Sequence, residues 1–391
     1  MGNGYNESIL DNDQYKFTMQ NAVCKLFPKE IVRYTFINRD NREFPDNFGE
    51  ELKRIIDTFR GLILSKKEKE FLRENWYYIS PVYIDFLNGY RYDPNEVKIR
   101  QEGPKLFVEV IGPWYRTILW EVPLMSVISQ LYFELTSPST MSRKEREKIN
   151  KEKAEALAAL NARFADFATR RRYSYNNHAE VVTDLIKYGQ DNFIGTSNPH
   201  IARINGLTSI GTQAHEWYQF HGAKYGFRMA NEMGMKNWVD VYEGQLGIAL
   251  PDTYTSDVFF KSFNGLYART FDGLRHDSGP PVDFTRKAIN HYDYLRIDST
   301  TKTLVFSDSI SNIEKVAQIS EACNDYIRHS YGIGTWFGND VGVKPLNIVV
   351  KMTGVLFDEQ WIPTVKLSDD LGKNTGDQDM VDLCKKVLMV G

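Results

Sequence analysis

Gly211-Thr-Gln-Ala-His-Glu-Trp217 places a histidine just past Leu207–Ile210, a segment that reads as the end of a strand. The pattern recurs downstream. Gly273-Leu-Arg-His-Asp-Ser-Gly279, Val305-Phe-Ser-Asp308 and Gly332-Ile-Gly-Thr335 are each a short run with apolar residues that breaks into Gly, Ser, Thr, Asp or His. One such break is ordinary loop chemistry. A series of them, at intervals of roughly 15–40 residues, is what a β/α barrel gives when its loops converge on one pocket.

Working outward, strand ends are expected near 167–170, 194–197, 210–212, 248–252, 274–277, 306–308 and 333–335, with helical segments such as 179–187 and 313–323 between them. That alternation predicts an irregular, TIM-like β/α barrel over residues 141–340. Residues 1–140 mix signals: a helix over 13–27 with Tyr15, Met19, Val23 and Leu26 on one face, a strand at 31–38, a helix at 66–76, and strands at 97–100 and 105–110. The run from Ser142 to Lys153 alternates charge and predicts a long solvated helix rather than a basic patch. Beyond the barrel, 346–355 and 364–367 read as strands and 379–389 as a closing helix. Strand-rich sequence at both ends suggests an α+β sandwich domain made of residues 1–140 and 341–391.

Composition bounds the function. With 48 basic and 51 acidic residues among 391, and a formal charge of -3, nothing draws the chain in bulk to nucleic acid or an acidic membrane. Cys24, Cys323 and Cys384 are too far apart for a zinc knuckle. Their odd number, and the absence of a secretory pattern at 1–10, predict reduced thiols in a cytoplasmic protein. The apolar stretch 108–135 contains Arg116, Glu121 and Pro123, which argues for a buried strand and helix over a membrane span.

His215, followed directly by Glu216, has the chemistry of a nucleophile or proton carrier near neutral pH; the same pattern also suits a histidine packed in a loop. Arg275 and Asp277 are two apart, so on an extended strand end they share one face. Such a pair can clamp an anion and hold a metal or a sugar hydroxyl, or form a plain salt bridge. Asp252 and Asp308 each follow a predicted strand, which suits magnesium and ribose recognition, and equally a helix cap. Thr169-Arg-Arg-Arg172 is a compact cationic cluster that suits a phosphate and equally a solvated basic run. Gly334 and Thr335 offer backbone N–H groups of the kind a late barrel loop uses for phosphate. GxxxxGK[ST] and GxGxxG after the first strand are both absent, so a P-loop and a dinucleotide fold lack support. The inventory points to a phosphorylated sugar as substrate.

At that point the chain resembles the nicotinate phosphoribosyltransferases, nearly end to end. The likeness rests on Leu10-Asp-Asn-Asp-Gln-Tyr-Lys16, Thr169-Arg-Arg-Arg172, Gly195-Thr-Ser-Asn198, the His215 segment, the Arg275–Asp277 segment, Ser307-Asp308, Gly332-Ile-Gly-Thr335 and Lys344-Pro-Leu-Asn-Ile348. The resemblance implies a type II phosphoribosyltransferase of NAD biosynthesis and pyridine nucleotide salvage, homodimeric with shared active sites. It implies transfer from 5-phosphoribosyl 1-diphosphate to nicotinate, with magnesium, and coupled to ATP through phosphorylation of His215.

By the same resemblance Asp13 and Tyr15 are expected to reach the partner subunit's pocket, with Tyr15 against the pyridine ring. Phe167 would stack on the other face, and Arg170 would pair with the nicotinate carboxylate. Arg275 and Asp277 would contact ribose and diphosphate, Asp308 the ribosyl side, and Gly334 and Thr335 the 5-phosphate. Ser197 stands where nicotinamide-using relatives carry aspartate, which favours the acid. Ala168 stands where the family more often has glycine, and its methyl is expected to bear on the ring slot. The rival readings are a nicotinamide or quinolinate transferase, a metal-assisted barrel hydrolase using Asp252, Asp277 and Asp308, and a catalytically silent relative.

Overall fold

The computed structural model describes residues 4–370 and 372–390. They form two compact units, residues 1–210 with 333–351, and residues 211–332 with 352–391. The division expected at residues 140 and 340 falls inside the first unit, and its side chains show why. The charged helix Arg143–Ala159 is stitched to helix Tyr175–Gly189 by Arg146 to Glu180 at 2.6 Å and Arg143 to Asp184 at 2.5 Å. Its Lys153 reaches Asp340 at 2.6 Å, and Ser129 of the preceding apolar helix donates to Arg172 O at 2.8 Å.

In the first unit the strands are β1 (Ile31–Asn38), β2 (Val97–Glu102), β3 (Lys105–Pro113), β4 (Phe164–Asp166) and β5 (Phe193–Thr196). β1 and β2 both pair antiparallel with β3, while β4 and β5 run parallel. Val32, Tyr34 and Phe36 alternate into the core along β1, the period of two that makes the strand legible. In the second unit β6 (Ile248–Ala249), β7 (Gly273–His276), β8 (Thr303–Phe306) and β9 (Arg328–Ile333) pair parallel in sequence order. Along β10 (Ile348–Phe357) the chain passes from the first unit to the second, where β10 pairs antiparallel with β11 (Gln360–Pro363). Within the first unit Arg39 N–H donates to Asn347 O at 2.9 Å, which sets the residue before β10 beside the end of β1. The fold is therefore mixed α/β, with one set of parallel strands and one of antiparallel strands.

Two helix starts follow their sequence signals. Ser65 and Ser142 each close a capping box with a glutamate three residues on, Glu68 and Glu145, satisfying N–H groups that the first turn leaves open. Helix Gln14–Leu26 departs from expectation: every residue from Gln14 to Val23 is buried, whereas Leu26 is exposed. A helix enclosed on all sides must pair its polar groups, so Lys16 forms an ion pair with Glu121 and Gln20 donates to Tyr115 O at 2.7 Å. Among the described residues no helix is long and apolar enough to cross a membrane.

Candidate active site

In the second unit, three strand ends and one helix start meet at His215. The ring opens helix His215–Tyr225 and is 7% exposed. Its Nδ1 lies 3.0 Å from Thr253 Oγ1, and its Nε2 lies 3.0 Å from Asp277 Oδ2 and 2.9 Å from Lys366 Nζ. Asp252 and Thr253 sit in the tight turn Pro251–Tyr254 after β6, Asp277 follows β7, and Ser307 follows β8. Thr255, directly after that turn, holds φ at +72°, where a β-branched residue is strained; such strain gathers at functional sites.

Asp277 is the hub. Its Oδ1 accepts from Arg275 Nη2 at 2.7 Å and from Ser307 Oγ at 2.7 Å, while Oδ2 faces His215. Arg275 is itself fixed on three further sides, to Ser307 Oγ at 2.7 Å, Thr212 Oγ1 at 2.8 Å and Gln213 O at 3.2 Å. Burial alone would raise the Asp277 carboxyl, but the Arg275 guanidinium, together with His215 and Lys366, outweighs it and holds the group well below the carboxylate range. Asp252 accepts from Ser278 Oγ at 2.6 Å and pairs with Lys366 at 3.1 Å through Oδ2, leaving Oδ1 buried without a hydrogen bond. Burial, and next the Lys366 ammonium, push His215 down to about 4, so near neutral pH the ring is uncharged and one nitrogen keeps its lone pair.

The first unit holds the other candidates. Ser197 Oγ donates to Asp13 Oδ1 at 2.7 Å, and Arg170 Nε stands 3.5 Å from Asp13 Oδ2 and its Nη1 3.8 Å from Glu121. The Arg170 guanidinium lies 5.9 Å from the centre of the Tyr15 ring. Asp13, Tyr15, Arg170 and Ser197 are thus brought together within one chain, with Asp13 and Tyr15 2% and 6% exposed. Burial pushes the Asp13 carboxyl up, against the pull of Arg170 and Ser197. Phe167, half-buried, donates its N–H to Ile333 O at 2.8 Å, which sets it beside Gly334. Thr335 begins the short helical turn Thr335–Gly338.

One expectation needs correction, and two further positions gain a local setting. The arginines of Thr169–Arg172 do not form a common anion clamp. Arg172 is fully buried in a bidentate pair with Asp11, at 2.7 and 2.8 Å, so it is committed to the core. Asp308 does not join the His215 cluster through its carboxylate, which accepts from neighbouring Ser309 at 2.9 Å; Ser307 takes the inward position. The Ala168 methyl packs toward Gly338: a Cβ built there would stand 2.3 Å from it, so glycine at 338 makes room for alanine at 168.

Lys366, Ser307, Thr253 and Ser278 were not singled out by sequence. Ser307 lay inside a quoted motif and could have been found by asking which face of β8 it shares with the loop. Lys366 gave no signal, being one lysine in a β-branched run 151 residues from its ring partner.

The ligand atoms of His215, Asp252 and Asp277 gather within 4.8 Å, the one such group among the described residues. They do not fit a resident magnesium ion. Magnesium demands a near-octahedral shell of oxygens, whereas here one donor is a ring nitrogen and the Lys366 ammonium already contributes positive charge to Asp252 and His215.

Comparison with known proteins places this geometry. Residues 10–129 match the nicotinate phosphoribosyltransferase (NAPRTase) N-terminal domain, and residues 162–391 match the nicotinate phosphoribosyltransferase (NAPRTase) family. The chain belongs to the nicotinate phosphoribosyltransferase family. A nicotinate phosphoribosyltransferase of Chromohalobacter salexigens is 49% identical over 383 residues, covering 98% of each chain. One from Desulforapulum autotrophicum is 47% identical, covering 98% of this chain and 99% of its own. The crystal structure of nicotinate phosphoribosyltransferase from Porphyromonas gingivalis superposes with a TM-score of 0.95 at 41% identity, covering 98% of this chain and 99% of that one. The family match thus takes in both groups of candidate residues, the Asp13 segment of the first unit and the His215 cluster with Lys366 of the second.

Proposed function

We propose that this protein joins nicotinate to 5-phosphoribosyl 1-diphosphate, giving nicotinate mononucleotide and diphosphate in NAD salvage, with ATP hydrolysis coupled through phosphorylation of His215. The observation that carries the reading is the shared Asp277 carboxylate. One oxygen is held by a buried guanidinium and the other faces a neutral histidine, so an anion clamp and a nucleophile are set by a single group.

In the transfer step the bond from ribosyl C1 to the diphosphate oxygen breaks, and diphosphate departs with the electron pair. The centre left behind has oxocarbenium character, as in glycosyl transfer generally. Arg275, held rigidly by Ser307, Thr212 and Asp277, needs little reorganisation to stabilise charge developing on the leaving side. Asp252 Oδ1, buried without a hydrogen bond and 3.8 Å from His215 Nε2, is an acceptor for a sugar hydroxyl. The nicotinate nitrogen then attacks C1 with its lone pair. Arg170 would pair with the nicotinate carboxylate, Tyr15 and Phe167 would flank the ring, and Gly334 and Thr335 would receive the 5-phosphate. Asp308 would serve the ribosyl side from outside the hydrogen-bonded cluster. Magnesium enters this proposal chelated to the substrate diphosphate, and a homodimer with shared sites and a cytoplasmic location belong to it as well. Lys366 within the carboxylate pair weighs against the metal-assisted hydrolase.

The reading is tested by product formation from nicotinate and 5-phosphoribosyl 1-diphosphate with magnesium, with and without ATP, beside a parallel reaction on nicotinamide. Nicotinate mononucleotide formed faster with ATP is the expected result; no product from either base would overturn it.

Selectivity for the acid is assigned to Ser197, whose hydroxyl donates to Asp13. Ser197→Asp would set a second carboxylate against one that burial already disfavours, and both would repel nicotinate. The ratio of nicotinate to nicotinamide KM is expected to rise about tenfold or more, the worth of one like-charge contact in a partly buried site. A ratio, unlike a rate, is insensitive to any loss of folded protein. An unchanged ratio would remove Ser197 from the selectivity device.

A further inference from the structure

At hydrogen-bond distance His215 Nε2 faces a group that can only accept and a group that can only donate, with Asp252 Oδ1 farther off at 3.8 Å. The Asp277 carboxylate accepts, and the Lys366 ammonium has no lone pair to offer. The two contacts therefore call for opposite tautomers of the neutral ring. If Nε2 carries the proton it donates to Asp277, and the lone pair lies on Nδ1 against Thr253. If Lys366 donates to Nε2, the proton sits on Nδ1 and is given to Thr253 Oγ1 at 3.0 Å. The lysine is not a loose surface group: its side chain is 14% exposed and its second contact, Asp252, is 2% exposed. Its segment, which forms a single bridge with Thr375 in place of the expected strand at 364–367, is pinned by Leu367 N–H to Thr253 O at 2.8 Å, the same residue that faces Nδ1.

We propose that Lys366 is a positioning residue for His215, donating to Nε2 and so selecting the tautomer whose proton rests on Nδ1 and whose Nε2 is unprotonated. The proposal rests on the reading of His215 as phosphoacceptor and gives it a mechanism. The Nε2 lone pair forms the bond to the γ-phosphorus of ATP. The bond from that phosphorus to the oxygen bridging the β-phosphate breaks, and ADP leaves with the electron pair. No proton has to leave Nε2 first. Lys366 gives up the ring and keeps Asp252, while the ring, now substituted on one nitrogen and protonated on the other, carries a positive charge that faces Asp252 and Asp277. The remaining charge at the site, Arg275, is held by Asp277. With Lys366 removed, no donor opposes Asp277, and the ring settles with its proton on the nitrogen that should attack.

The test is the tautomer itself, read by NMR from the His215 ring nitrogens in protein with isotope-labelled histidine, beside the rate of phosphohistidine formation from ATP. In the wild-type protein the proton is expected on Nδ1. In Lys366→Met it is expected on Nε2, with phosphohistidine formation slowed about tenfold; Lys366→Arg, which also only donates, should restore the wild-type tautomer and part of the rate. A wild-type ring protonated on Nε2 would overturn the proposal with no variant needed, as would a Lys366→Met protein that keeps the proton on Nδ1. A wild-type protein that takes no phosphoryl group from ATP would sink the phosphoacceptor reading instead, and the tautomer pattern would still decide what Lys366 does.

Discussion

Asp277→Asn is expected to lower kcat/KM for nicotinate mononucleotide formation by about a thousandfold, the upper range for removing one preorganised electrostatic element of an active site. The expectation follows from what the carboxylate holds. Its Oδ1 receives both Arg275 and Ser307, so the amide leaves a guanidinium that is 7% exposed without its counter-charge. Depending on its orientation, the amide N–H₂ faces either that guanidinium or the Lys366 and His215 nitrogens, and neither arrangement satisfies every group. Breaking a buried pair by removing one partner costs about 3 kcal/mol or more, so the urea midpoint should fall together with activity. Because the stability loss is shared with structural roles, the kinetic split decides: an effect on kcat at saturating substrates marks Asp277 as part of the reaction. A variant within about threefold of wild type in kcat/KM would show that Arg275 is held well enough by Thr212, Gln213 and Ser307 alone, and Asp277 would lose its place as hub.

How far the sequence led can be judged from these same residues. The strand-then-break rhythm located β4 to β9 because a parallel strand in such a sheet is a short apolar run ended by polar loop chemistry. It overreached at Leu207–Ile210, where the structure has a single bridge between Ser209 and Thr196 in place of a strand. His215, Asp252 and Asp277 were legible because each follows such a break, and Arg275 because it stands two residues before Asp277 on β7; the fold brings all four together. Charge was less legible. Three consecutive arginines read alike, yet Arg172 is spent on Asp11 in the core while Arg170 lies along Tyr15. Which of them faces a ligand depends on the turn Thr169–Arg171, and no spacing rule shows which way a tight helical turn sends adjacent side chains. Lys366 was invisible for a related reason: its role exists only through tertiary contacts to residues 252 and 215, and its local pattern is that of an edge strand.

His215→Ala is expected to abolish the stimulation by ATP while leaving slow transfer from 5-phosphoribosyl 1-diphosphate to nicotinate. The separation is chemical. On the proposed reading, transfer needs a leaving-group clamp, the role given to Arg275, and a bound base, and nothing in that step forms a bond to the enzyme. ATP needs a nucleophile, and in this cluster His215 offers an uncharged ring nitrogen near neutral pH, because burial and Lys366 suppress its protonation. In the alanine variant Lys366 retains Asp252 at 3.1 Å and Asp277 retains Arg275 at 2.7 Å, so the ion pairs that shape the site survive the loss of the ring. The check is twofold: initial rates with and without ATP, and acid-labile phosphoryl incorporation from ATP, which should vanish. Full ATP stimulation in His215→Ala would exclude His215 as the phosphoacceptor. Complete loss of transfer, with the protein still folded, would mean that His215 acts within the ribosyl step itself, placing its neutral nitrogen against the departing diphosphate rather than against ATP.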